Sequence, residues 1–147
     1  MPDFTPQERE RIQKWTDALR SDQFTKTVGD LRIQSGDGGF CFCALGVACQ
    51  LYHDEHPRTS RWNSSEFFVE DADVVYSEDY QLPWPVQKWL GGIGKNPELD
   101  AFSGDCLEWR DIIYLNDKKR MSFAKIADLI EQTFLANSAL EVASTDA

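Results

Sequence analysis

Apolar residues recur every three or four positions near the start of the chain, where Ile12, Trp15 and Leu19 share one face with Ala18. That spacing predicts an amphipathic helix from about Thr5 to Arg20 with a charged back. Thr5-Pro6-Gln7-Glu8 opens it. Thr5 is placed to cap, Glu8 to return the bond, and proline suits a first helical turn. The period then shortens to two: Leu31 and Ile33 alternate with polar neighbours within Val28–Gln34, and Phe40-Cys41-Phe42-Cys43 forms a second run beyond Ser35-Gly36-Asp37-Gly38-Gly39. Strand, turn and strand make a predicted hairpin, because Asp-Gly and Gly-Gly supply the positive φ that a tight turn needs. Ala44 to Tyr52, with Leu45, Ala48 and Leu51 or Val47 and Leu51 on one side, predicts a short buried helix.

From His53 to Gln81 the chain turns polar and acidic, interrupted by two β-prone runs, Glu66-Phe67-Phe68-Val69 and Asp73-Val74-Val75-Tyr76. These are expected to extend the hairpin. Leu82-Pro83-Trp84-Pro85 marks entry to a short helix through Leu90, closed by Gly91-Gly92. After a loop at Asn96-Pro97, a helix is predicted from about Cys106 to Leu115 around Trp109, stopping at Asn116-Asp117. Ser122 then caps a last helix through Leu135, with Phe123, Ile126, Ile130 and Phe134 as its stripe beside Ala127 and Leu129. The expected fold is α+β: a small antiparallel sheet, the hairpin plus one or two strands, packed against about four or five helices. Residues 1–136 are expected to form a single domain, and residues 137–147 a flexible tail.

At 147 residues with 41% hydrophobic and 12% aromatic content, the chain can bury a core of its own. Its 25 acidic residues against 15 basic ones leave a net charge of −10. A field of that sign repels phosphate backbones and anionic lipid, so neither direct nucleic-acid binding nor membrane association is expected, whereas a basic partner protein suits it. No apolar run approaches the roughly 18 residues of a spanning helix, and Met1-Pro2-Asp3-Phe4-Thr5 has no signal-peptide character. A cytoplasmic protein is expected, with Cys41, Cys43, Cys49 and Cys106 as free thiols.

Three groups of residues bear on chemistry. Cys41-x-Cys43 with His53-x-x-His56 offers zinc-type ligands. The spacing is not that of a paired finger, however, and Cys41 and Cys43 flank Phe42 in a core-like strand, so buried thiols and no cofactor are expected, with zinc as the alternative. A cysteine nucleophile would need one of only two histidines as its base, and no triad, phosphate loop or dinucleotide fingerprint is present. The acidic and aromatic stretch holding Glu66, Phe68, Glu70, Asp71, Asp73, Tyr76, Glu78 and Asp79 is the candidate partner-binding face. Trp62 and Trp84, with Arg58 and Arg61, form an alternative site in which an indole stacks on a nucleotide-like ligand and an arginine meets its phosphate.

Phe42-Cys43-Ala44-Leu45-Gly46-Val47-Ala48-Cys49, then Leu82-Pro83 with Val86 and Trp89-Leu90-Gly91, then Leu115-Asn116-Asp117 and Ser122-Phe123 with Ile126-Ala127-Asp128, resemble a set of small proteins encoded by tailed bacteriophages and prophages. The sequence departs from that set in Ala44, where relatives carry a second adjacent cysteine, and in its acidic insert. The resemblance implies a phage accessory protein acting in the host cytosol. Combined with the charge and the missing catalytic motifs, it makes a non-catalytic protein that binds and modulates or inhibits a host factor the leading expectation, including counter-defence through a DNA-mimicking acidic face. A binder of a nucleotide-like small molecule and a metal- or cysteine-dependent enzyme stand as alternatives.

Overall fold

A computed structural model describes residues 4–92, 116 and 120–136. Helix α1 (Pro6–Arg20) begins at the expected capping box: Thr5 Oγ1 accepts from Glu8 N at 3.1 Å, and Thr5 N donates to Glu8 Oε1 at 2.9 Å. It buries Ile12, Trp15, Ala18 and Leu19, and also Thr16. Two short strands, β1 (Thr25–Lys26) and β2 (Arg32–Gln34), precede β3 (Phe40–Phe42), which lies between them. β2 and β3 form the expected antiparallel hairpin, while β1 runs parallel to β3.

Helix α2 (Ala44–Glu55) leaves β3 at once and fills the middle of the molecule, with Ala44, Leu45, Val47, Ala48 and Cys49 buried. Its start is tightly built. Cys43 caps it through Sγ, which accepts from Gly46 N at 3.4 Å, and Cys43 N donates to Leu31 O at 3.1 Å. That same carbonyl lies where a side chain on Gly46 would stand, 1.8 Å from an ideal Cβ. Asn116 completes the joint, accepting from Ala44 N at 3.2 Å and donating to Thr27 O at 2.9 Å.

A second sheet follows, with β4 (Ser60–Asn63), β5 (Glu66–Asp71) and β6 (Val74–Glu78) as an antiparallel meander. Here the structure corrects the sequence reading. The β-prone runs do not extend the hairpin; they build a separate three-stranded sheet together with β4, a strand whose polar sequence carries no alternating signal. The first sheet is likewise mixed rather than antiparallel. Both turns of the meander are two residues long and place non-glycine residues at positive φ, Ser64 at 56° and Ala72 at 55°, so neither shows the usual hairpin dipeptide.

Helix α3 (Trp84–Trp89) starts at the proline pair as expected and ends at Gly91, whose φ of 90° and contact with the Phe4 ring both exclude a side chain. Helix α4 (Phe123–Ile130), capped by Ser122, buries Phe123, Ile126, Ala127 and Ile130. The expected α-helix through Leu135 instead widens to a π-helix over Glu131–Ala136. The loop at Asn96-Pro97, the helix predicted over Cys106–Leu115 and the predicted tail at 137–147 lie outside the described residues. No helix among the described residues is long and apolar enough to cross a membrane.

Candidate functional site

The register of the second sheet decides which candidate residues share a surface. Pairing of Arg61 with Phe68, Trp62 with Phe67 and Glu70 with Val75 sends alternate side chains to opposite faces. Glu66, Phe68, Glu70, Val75 and Arg61 lie on the outer face, where the Arg61 guanidinium sits 4.6 Å from the Phe68 ring centre and reaches Glu70 at 3.9 Å. Asp71, Tyr76 and Glu78 lie on the face shared with buried Phe67 and Val69. Asp73 occupies the β5–β6 turn, and Asp79, just past β6, accepts from Leu31 N at 2.7 Å through its carbonyl.

The eight residues of the expected contact face are therefore split between two sides and one edge. Asp73, Tyr76, Glu78 and Asp79 follow the β6 edge and Glu70 and Asp71 pair with it from β5, whereas Glu66 and Phe68 sit on the central strand away from it. β6 pairs only with β5 among the described residues, and Val74 and Val75 on it are 49% and 56% exposed.

The alternative site is not assembled as expected either. Trp62 faces inward, its Nε1 donating to Gln50 Oε1 at 3.0 Å and its ring tilted on Phe67 at 4.7 Å. Arg61 points the other way, and Arg58 is exposed in the turn before β4. Trp84, 36% exposed, opens α3 and makes no ring contact with Trp62 among the described residues. The arginine that does meet Trp62 is Arg32 from the first sheet, 4.5 Å from its ring centre and 3.8 Å from that of Phe40. Sequence proximity pointed to Arg58 and Arg61. Recognising β4 as a strand would have excluded Arg61 from the indole's face.

The thiols and imidazoles are committed separately. Cys43 caps α2. Cys49 is fully buried, and that burial, with the Cys43 thiol nearby, holds it well above the ordinary thiol pKa, so it stays protonated and unreactive. His53 Nδ1 lies 2.9 Å from Ser60 Oγ, whose hydroxyl donates to His56 O at 2.6 Å. Because a carbonyl only accepts, the serine proton is held there and Nδ1 carries its own; the pair closes the end of α2 and does not activate Ser60. His56 stacks on Tyr52 with ring centres 4.2 Å apart. Cys41, Cys43, His53 and His56 are not brought together, and no group of three or more His, Cys, Asp or Glu side chains suited to a metal exists among the described residues.

Among the described residues, two three-stranded sheets on a helical core, the second with an acidic edge strand, define an α+β domain without a recognisable catalytic constellation. The chain belongs to a family described as a domain of unknown function, DUF8296, whose model matches residues 8–134. No curated protein and no solved structure matches it.

Proposed function

We propose that this chain is a non-catalytic binding domain that receives an extended, basic segment of a partner protein along β6. The observation that carries the reading is the outer edge of β6, which pairs with no other strand among the described residues, with exposed Val74 and Val75 and with Glu70, Asp71, Asp73, Glu78 and Asp79 beside them. An exposed strand edge offers a row of backbone donors and acceptors to an incoming strand, and its side-chain rows set selectivity. Soluble domains usually blunt such an edge with lysine or proline; here the charges are mostly negative, Asp71 meeting Lys88 and Glu70 meeting Arg61 while Asp73, Glu78 and Asp79 are in no ion pair among the described residues, which disfavours a second copy of the same edge and favours lysine- or arginine-rich segments. The similarity to bacteriophage accessory proteins fits a host factor in the cytosol as that partner, its basic surface occupied and its action modulated or inhibited.

A synthetic peptide of alternating lysine and valine tests this directly by amide chemical-shift titration. Saturable shifts are expected at residues 73–79, weakening steeply as salt rises from 50 to about 300 mM because the attraction is screened. Glu70→Lys combined with Asp73→Lys should weaken binding at least fivefold. Shifts spread evenly over the acidic surface, or a silent β6, would overturn the reading.

A further inference from the structure

Arg32 brings a positive charge into the seam between the two sheets with no acid to meet it. The ion pairs among the described residues use Arg20, Arg61 and Lys88, and Arg32 takes part in none. Its guanidinium rests instead on the Phe40 and Trp62 rings, at 3.8 and 4.5 Å, and its Nε donates to Ser64 O at 3.0 Å. Each support is placed by the fold. Trp62 is held by Gln50 and Phe67, and Phe40 is set two residues from Phe42, the register partner of Arg32, so it shares its face of the hairpin. Ser64 stands in the tight β4–β5 turn.

A guanidinium has five N–H donors. One is spent on Ser64, and the four on Nη1 and Nη2 meet no acceptor among the described residues. Burial lowers the Arg32 pKa from its ordinary value with no carboxylate to oppose the effect. The group is half-buried and Phe40 is 41% exposed, so the free fork stays within reach of solvent.

We infer that Arg32, set in place by Phe40, Trp62 and Ser64, is the receptor for a single oxyanion group, phosphate or carboxylate, on a small ligand. The planar fork matches two oxygens of such a group, and a charge-assisted bidentate pair is among the stronger polar contacts available. Two rings and the Ser64 carbonyl restrain the guanidinium, so binding forfeits less entropy than at an unrestrained arginine. The net charge of −10 repels polyanions, which confines the ligand to one or two negative charges and excludes a nucleic-acid backbone. This site is independent of the β6 edge, and either can fail without the other.

The test is a titration of the uniformly labelled protein with inorganic phosphate and, separately, with acetate, each against sodium chloride at equal ionic strength. The Arg32 Nε–H and Trp62 Nε1–H signals are followed. Saturable movement of both with phosphate or acetate, beyond the chloride control, is expected; the stronger probe distinguishes a phosphorylated ligand from a carboxylic acid. Arg32→Lys keeps the charge but loses the fork, and should weaken binding at least tenfold while the Trp62 signal still reports a folded seam. No saturable response in the wild-type protein to either anion overturns the inference without recourse to a variant. So does a response at other residues that leaves Arg32 still, or an Arg32→Lys protein that binds as tightly.

Discussion

The Leu31 carbonyl is the point on which the start of α2 turns. It accepts from Cys43 N and lies against the open flank of Gly46, so the chain passes over the helix at a distance no other residue permits. Gly46→Ala would set a methyl group 1.8 Å from that oxygen, and because both partners are backbone, neither can swing aside. A loss of about 2–4 kcal/mol is expected, read from urea unfolding midpoints, since overpacking against fixed backbone exceeds the usual cost of an added methyl. A change under about 0.5 kcal/mol would show that the joint is looser than described. The run Phe42 to Cys49 therefore reads as architecture: Phe42 and Leu45 for the core, Cys43 for the cap, Gly46 for the crossing. Asn116 belongs with them. Its sequence context marks it as a helix terminator, yet its amide bridges Ala44 and Thr27 from a fully buried position, a role that no local pattern encodes.

Between helices an ionic network adds to the apolar packing. Arg20 at the end of α1 pairs with Glu131 at 2.6 Å and with Asp128 at 2.7 Å, and Glu131 also accepts from Thr16 and Gln13. The Arg20 bond above all, with help from Thr16 and Gln13, lowers the Glu131 pKa from 4.5 to about 2. A carboxylate depressed in the folded state stabilises it above the unfolded pKa and loses that contribution as pH falls through the folded one. Stability should therefore decline between about pH 4.5 and pH 2 by about 1–2 kcal/mol, reduced from the full shift because the network touches solvent. Glu131→Gln should flatten that segment of the stability–pH curve. An unchanged slope in thermal melts would mean that other acids set it.

Elements with strong local signals are the ones legible in the sequence. α1 and its capping box, the β2–β3 hairpin, the start of α3 and the stripe of α4 all carry strong local signals, periodic burial or a cap, and each forms where expected. β1 is two residues long, and β4 is polar apart from Trp62, so neither has a period to detect. Turns at Ser64 and Ala72 lack glycine, which hid the meander and with it the alternation that divides the acidic stretch between two faces. The seam at Arg32 was illegible for a different reason: its parts, Arg32, Phe40, Trp62 and Ser64, come from two sheets that meet only in the tertiary fold.

Taken together, the molecule is two thin sheets leaning on one buried helix, α2, with α1 and α4 clasped behind it. An aromatic chain runs through it from Phe24 to Phe42, Trp62 and Phe67, then by Tyr52 to Trp89. The sheets themselves are stitched by few polar bonds, notably Arg32 to Ser64 and Leu31 N to Asp79 O. The second of these joins the approach to β2 with the residue just past β6. Its amide proton is thus a gauge of how often the second sheet lifts away, because exchange with deuterium requires that bond to open. Exchange within about tenfold of the central α2 amides is expected if the two sheets part only on unfolding, whereas exchange a hundredfold faster would mark the second sheet as a separately opening unit. A strand drawn onto β6 would tug on this latch, so occupancy of an edge facing solvent would be felt as a changed exchange rate at one proton deep inside.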